Sequence, residues 1–413
     1  MDPFVAIVNM ECPYTRKGAI EGLKKFSIVK ISEEDTEGVK VSGGDDDVYS
    51  FGQSRNEEPD VTTDSNVKLM WSDYEKIDWK RTLSGELTAN AYFVRKGLIR
   101  KAQLAFNIEK FVKKNPDCFL KKAFPESYPI ELHHPDYFDE ILCELPEEVQ
   151  NLNGESIWLL KPSLCNRGVG IQLFTTISEL ENHMTAEEAE DIREWVIQKY
   201  VYPPYLIDNR KFHLRAYILT IGNLDVYLYD EVLALFSLEN FPTDQSDTSN
   251  YAAHLTNTCY QKRKGTDEDQ EIDELKAVRL LSELKKEIGE ETVKTLWNQM
   301  VTLSKEVFKA CAGELGFFPV PNCFELFGLD FVVQQNANNE LQVYLLEINA
   351  EPDFVQSGER LQGVIQSLLV EAGDLVMSHF FKQSSLLPEK HFHQVFQKEA
   401  TPYMAEGISM KFN

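Results

Sequence analysis

Short apolar runs alternate with longer amphipathic stretches along most of the chain, which predicts strands interleaved with helices and hence an α/β protein. Residues 4–8 and 28–31 predict two strands with a helix-compatible stretch between them. From 32 to 66 the apolar pattern stops, and eleven acids from Glu33 to Asp64 outnumber Lys40 and Arg55, a net of −9. That composition predicts a solvated acidic insertion, with docking of a basic partner as the alternative. Beyond Leu87, the positions Tyr92, Leu98, Ala102, Ala105, Ile108 and Val112 follow helical spacing, with Arg95, Lys96, Arg100 and Lys101 on the expected exposed face. Further on, 156–160 reads as a strand, 185–195 as a helix and 196–201 as a strand. Residues 212–221 and 224–228 predict a hairpin across Gly222-Asn223. Stretches 269–288 and 290–313 predict long amphipathic helices, the second with a core stripe of Leu296, Met300, Leu303, Val307, Cys311 and Leu315. Residues 327–333 and 341–348 predict a strand pair around the turn 336–339. From Gln383 the periodicity weakens into an expected tail, where His391-Phe392-His393 reads as too isolated for a metal site.

Composition narrows the class. The 413 residues are 43% hydrophobic and 26% charged, which excludes a wholly disordered or collagenous chain. No uninterrupted apolar run approaches the roughly 18 residues of a membrane span, and the first residues lack the basic and apolar regions of a signal peptide. Seven scattered cysteines, none in a C-x-x-C pair, point to thiols in a reducing compartment rather than a zinc cage, so a cytoplasmic setting is expected. Lys+Arg 42 against Asp+Glu 67 leaves −25, which disfavours nucleic acid and anionic membrane as partners.

Three segments carry candidate chemistry. Lys161-Pro162 opens a loop containing Arg167-Gly168-Val169-Gly170 directly after a strand. Glycines there admit backbone N–H groups to a polyphosphate, and the cations neutralise it. In the strand 209–217, Lys211, His213 and Arg215 share one face and Phe212, Leu214 and Ala216 the other. Charges on an interior strand require anionic company, from a ligand or from a structural salt-bridge ladder. Glu347 and Asn349 also project to one side of a strand, and Asp330 belongs to its neighbour. Two carboxylates and an amide on paired strands form a hard-oxygen set suited to Mg²⁺ carrying phosphate oxygens. Together the three segments describe a nucleotide cleft.

These residues resemble the tubulin tyrosine ligase family, a branch of the ATP-grasp enzymes. The similarity runs through Phe124-Pro125-Glu126-Ser127-Tyr128, Trp158-Leu159-Leu160-Lys161-Pro162, Arg210-Lys211-Phe212, His254-Leu255-Thr256-Asn257, Phe327-Gly328-Leu329-Asp330-Phe331 and Leu346-Glu347-Ile348-Asn349. The resemblance implies an ATP-grasp fold of three subdomains, 1–97, 98–203 and 204–390, followed by a tail 391–413, with ATP and Mg²⁺ as cofactors. Lys101 and Lys161 look like phosphate-binding lysines. Gln198, Lys199, Tyr200 and Val201 resemble the inter-lobe segment against which adenine lies. Lys211, Thr256 and Asn257 match nucleotide-contacting positions. Asp330, Glu347 and Asn349 match the magnesium ligands, and Arg215 the arginine facing the transferring phosphoryl group. The implied reaction phosphorylates a carboxylate with ATP, after which an amine displaces phosphate to leave an amide.

Three positions depart from that pattern. His213 stands where the family carries an acid in Arg-Lys-Phe-Asp-x-Arg. In 229–236, Val232 and Leu235 replace the glycine and arginine of Tyr-x-x-Gly-x-x-Arg-Phe, the arginine being a contact to the incoming amino acid or acyl phosphate. The nucleotide half is therefore expected to be intact and the acceptor half altered. The net charge also disfavours acidic tubulin tails as substrate. A weaker similarity runs to fungal ligase-like proteins of cytoplasmic mRNA-decay granules (P-bodies), which makes an interaction module with mRNA-decay factors the alternative to a ligase.

Overall fold

The computed structural model describes residues 3–27, 29–32, 65–164, 169–189, 191–242, 248, 250–256, 274–383 and 391–398. The acidic insertion lies outside these, as do Arg167, Gly168 and Asn257. Three sheets organise the described residues.

The first sheet has the order β2-β1-β3-β4, with β1 at Phe4–Asn9, β2 at Val29–Ser32, β3 at Val67–Ser72 and β4 at Thr88–Ala89. Its strands pair in parallel, and β1 reads as a continuous apolar run because it is covered on both faces. Helix α1 (Pro13–Lys24) starts with proline, whose missing N–H would be unpaired there anyway. The second sheet has the order β5-β8-β6-β7, with β5 at Ser127–Glu131, β6 at Asn153–Pro162, β7 at Gln172–Thr176 and β8 at Glu194–Lys199. Helix α2 (Lys101–Lys114) packs against β5 and β8. The third sheet is eight-stranded and centred on β10 (Arg210–Ile221), with β9 at Leu206–Ile207, β11 at Asp225–Tyr229, β12 at Leu233–Phe236, β13 at Val278–Leu280, β14 at Phe324–Gln335, β15 at Leu341–Ala350 and β16 at Phe392–Gln397.

Several expectations are corrected. The helix placed at 185–195 is instead α3 (Ile177–Met184), opened by a capping box in which Thr176 and Glu179 satisfy each other's backbone N–H groups. That T-x-x-E signature was readable at 176–179. The stretch read as one helix over 269–288 is, where described, a turn of helix at Glu274–Ala277, strand β13 and a second turn at Lys285–Ile288. Pairing of β13 with the open edge of β12 outweighs local helix propensity. Helix α4 (Glu290–Cys311) keeps its core stripe as far as Cys311, whereas Leu315 is 98% exposed. The expected tail is also wrong in part, because β16 pairs antiparallel with β11. Arg95 and Lys101 turn inward rather than to solvent: Arg95 pairs with Glu325 and Glu351 and lies 4.1 Å over the Tyr74 ring.

Helix α5 (Gln362–Phe381) is long and apolar enough to cross a membrane by length and composition, yet Ile365, Leu368, Leu369, Ala372, Val376 and Met377 are buried in the core shared by the first and third sheets. It meets α1 at small residues. A Cβ on Gly22 would stand 3.1 Å from the Leu369 carbonyl oxygen and 3.3 Å from the Val370 Cα. Neither backbone atom can rotate away, so Gly22→Val is expected to lower the unfolding free energy by about 2 kcal/mol in urea titration.

Candidate active site

The cleft forms where β10, β14 and β15 face the second sheet and the start of α2. Along β10, Phe212, Leu214 and Ala216 enter the core while Lys211, His213 and Arg215 take the opposite face, as the alternation requires. Register then aligns the chemistry. Arg215 pairs with Asp330 across β10–β14, and Asp330 with Glu347 across β14–β15. A bulge between Asp330 and Phe331 shifts the β14–β15 register next to the two carboxylates. Gly328 keeps the floor open, since a Cβ there would sit 3.5 Å from Arg215 Cδ and 3.2 Å from Pro352 Cβ.

Among the described residues, three buried cations, Lys101, Lys161 and Arg215, face this row, and a fourth, Lys211, stands beside Lys161. Arg215 donates from Nε and Nη2 to the two oxygens of Asp330, each at 2.6 Å, a bidentate pair that holds the guanidinium firmly protonated against its burial. Lys101 Nζ lies 3.3 Å from Glu347 Oε2. Lys101 is the first residue of α2, where the helix dipole disfavours a cation, so an anionic partner is required. Burial raises the Glu347 carboxyl, but Lys101, Lys161 and Arg215 outweigh it and hold it down at about 2. Lys161 at the end of β6 donates to Gln198 Oε1 at 2.6 Å, and Gln198 donates onward to Ser127 Oγ at 3.0 Å. Burial lowers the Lys161 ammonium to about 8 despite Glu347. Lys211 donates to the Tyr200 hydroxyl and the His254 carbonyl, both at 2.8 Å; burial and then Lys161 depress it to about 7. Lys161 and Lys211, held close together and weakened as cations by burial, are poised to gain from a polyanion.

His213 does point into the cleft. Its Nδ1 shares a 2.6 Å hydrogen bond with Thr256 Oγ1, while Nε2 has no hydrogen-bond partner and stands 3.9 Å from Asp330 Oδ1. Burial lowers the imidazole to about 4, so it is neutral at pH 7. The folded state thus resists a proton that the unfolded chain accepts near 6.5, and stability falls as pH drops from 6.5 towards 4. His213→Asn is expected to remove about 2 kcal/mol of the stability difference between pH 7 and pH 5, read from paired urea titrations.

Other expected residues are placed unevenly. Gly170 has φ +70° and folds back on Pro162, where a Cβ would come within 2.8 Å of the proline Cγ, consistent with a tight loop after Lys161. Tyr200 and Thr256 are buried at the cleft, with Val201 following Tyr200 in the segment that leaves β8. The Lys199 side chain turns away and pairs with Glu126 and Glu148, leaving only its backbone along that segment. Reading the sequence did not single out Gln198 as the partner of Lys161, or His254, whose Nδ1 meets the Tyr200 hydroxyl at 3.0 Å. The place of Gln198 near the end of β8, in the strand-like stretch just before Tyr200, was the available signal for the first. On the acceptor side, Leu235 lies opposite His213 in register and Leu233 opposite Arg215. Both are buried, in one apolar cluster with Tyr217, Val278, Phe354 and Leu361.

Asp330, Glu347 and Asn349 could hold a magnesium ion. Asn349 Nδ2 donates to Asp330 Oδ2 at 3.1 Å and Glu347 Oε1 at 3.3 Å, so rotating its amide turns an oxygen toward the same point. The donor set is hard oxygen throughout, and the partnerless Nε2 of His213 faces it.

The fold and this cleft define an ATP-grasp protein. The tubulin-tyrosine ligase family model matches residues 87–380, and the chain belongs to that family. Among relatives, a probable tubulin–tyrosine ligase of Schizosaccharomyces pombe is 33% identical over 368 residues, covering 77% of this chain and 85% of that protein. The probable tubulin–tyrosine ligase PBY1 of Saccharomyces cerevisiae is 33% identical over 359 residues, covering 76% of this chain and 46% of that longer protein. Among solved structures, the C-terminal domain of K. lactis Pby1, described as an ATP-grasp enzyme interacting with the mRNA decapping enzyme Dcp2, is similar with a TM-score of 0.67. It is 27% identical, and the match covers 96% of this chain and 99% of that one.

Proposed function

We propose that the protein binds Mg–ATP in this cleft and acts as an ATP-dependent ligase that joins an amine to a carboxylate. The observation that supports the reading most strongly is the convergence of Lys101, Lys161 and Arg215 on the Asp330–Glu347 pair, with Lys211 beside Lys161, from α2, β6, β10, β14 and β15. Magnesium held by Asp330, Glu347 and Asn349 would neutralise phosphate charge. Lys101 and Lys161 bind the phosphates, and Lys211 with the Tyr200 segment flanks the base. Thr256 orients His213, which as a neutral imidazole offers a hydrogen bond but no charge. Arg215, now committed to Asp330, is the group placed to stabilise charge developing on the transferred phosphoryl group. The carboxylate oxygen bonds to the γ-phosphorus as ADP leaves, and the amine then displaces phosphate from the acyl carbon.

The apolar wall at Leu233 and Leu235 favours a second reading. With no cation at 235, the protein would bind ATP without turning over an acceptor and would serve as a cytoplasmic interaction module; the Dcp2 interaction of K. lactis Pby1 gives mRNA-decay factors in P-bodies as candidate partners. ADP release separates the two. Under the ligase reading, release rises when peptides ending in a free carboxylate are supplied with amino acids, and mass spectrometry finds an amide product. Release that stays at its basal rate across a broad acceptor panel would overturn that reading in favour of the module.

A further inference from the structure

A second cluster of metal-ligating side chains sits on a different strand pair from the cleft carboxylates. The turn after β11 and the lead into β16 are clasped together: Asp230 N donates to the His391 carbonyl at 3.0 Å, and His391 N donates to Glu371 Oε2 of α5 at 2.9 Å. Both oxygens of Asp230 are engaged by imidazoles, Oδ1 with His391 Nδ1 and Oδ2 with His393 Nε2, each at 2.8 Å. Ligand atoms of Asp230, Glu231 and His391 all lie within 4.8 Å of one another. His391 and His393 are two apart on an extended segment and so share a face. Each ring is braced, His391 against Tyr229 at 5.6 Å between centroids and His393 against Trp297 at 5.8 Å.

We propose that Asp230, Glu231 and His391 form a zinc-type divalent metal site, with His393 steadying Asp230 from its second oxygen, that pins β16 to the edge of the third sheet. One imidazole nitrogen and two carboxylates, with a fourth position open to water, make a mixed N/O set that suits Zn²⁺ and not Mg²⁺, which takes oxygen ligands and keeps its water. A neutral imidazole with two carboxylates carries a charge of −2, matching a dication. Hydrogen bonds account for Asp230 between two imidazoles, and Ser282 Oγ donates to Glu231 Oε2 at 3.3 Å, yet the two carboxylates still stand within 4.8 Å of each other. An ion at the point shared by Asp230, Glu231 and His391 satisfies all three. Its placement gives the ion a structural role, because the turn through Asp230 and Val232 leads directly into β12 and the apolar wall at Leu233 and Leu235.

The test uses the full chain, stripped with a chelator and kept in excess MgCl₂ so that the cleft carboxylates are occupied. Zinc chloride is titrated by calorimetry and cobalt chloride by visible absorption. One equivalent of zinc is expected to bind with a dissociation constant of about 1 μM or tighter, and cobalt to give the intense bands of a four- or five-coordinate site. Asp230→Asn and His391→Gln, which preserve hydrogen-bonding capacity, are each expected to weaken zinc binding at least about tenfold. Both variants should keep the far-ultraviolet circular dichroism and the Mg–ATP thermal shift of the parent. Absence of saturable zinc uptake, or uptake of equal affinity in both folded variants, would overturn the site. Either result leaves the nucleotide cleft to be judged separately.

Discussion

Asp330→Ala is expected to lower the stability of the ATP-free protein by about 3–5 kcal/mol and to abolish its stabilisation by Mg–ATP. The first effect follows from Arg215. Its guanidinium is buried and bonded twice to Asp330, so removing the carboxylate strands a cation that cannot lose its proton. The second follows from the donor set, which loses one of its two carboxylates. A ligand held at a hundred times its dissociation constant stabilises by about 2.7 kcal/mol, and that increment should vanish. Asp330→Asn separates the two effects, because an amide still accepts from Arg215 while offering magnesium no charge. Its ATP-free stability should recover most of the loss, and its Mg–ATP shift should stay absent. Urea titration measures the first quantity, and thermal melts with and without Mg–ATP the second. A full Mg–ATP shift in both variants would remove Asp330 from the site.

The second large effect concerns the acceptor side. Restoring an acid and an arginine together, His213→Asp with Leu235→Arg, is expected to raise acceptor-stimulated ADP release by about 10²-fold, the scale of one transition-state-facing donor. Register places residue 235 beside residue 213 on the cleft face, so a long arginine stem can run along the apolar wall while its head reaches the cleft. Leu235→Arg alone should destabilise the protein, because the buried guanidinium would lack a carboxylate partner. The accompanying His213→Asp change supplies that carboxylate. The destabilisation should therefore be smaller in the double variant than the two single changes sum to, a coupling that a double-mutant cycle reads directly. Unchanged ADP release in a folded double variant would show that these two departures do not limit turnover.

Much of this site could be read from the sequence because it lies on long strands with strict alternation. Lys211, His213 and Arg215 follow that rule on β10, as do Glu347 and Asn349 on β15, and the turn at Gly222 adopts φ +61° as its hairpin demands. Other parts depend on contacts distant in sequence. β13 is helix-compatible by composition and becomes a strand only because β12 offers an unpaired edge. β16 has a mixed pattern that shows no clear face until β11 supplies one, and with it the proximity of His391 and His393 to Asp230. The inward turn of Lys101 contradicted its place on a basic helix face. Its partner, Glu347, lies far along the chain on β15, and no local pattern links the two. The bulge beside Asp330 leaves no mark in the local pattern, yet it lies where the two carboxylates meet.

Calorimetric titration of ATP into the full chain, with magnesium and again with a chelator in its place, probes the convergence of these side chains most directly. One site per chain that needs magnesium, and that is lost in Lys161→Ala as well as in Glu347→Gln, is the expected result. No saturable heat with magnesium present, or binding indifferent to both substitutions, would contradict a nucleotide site at this cleft.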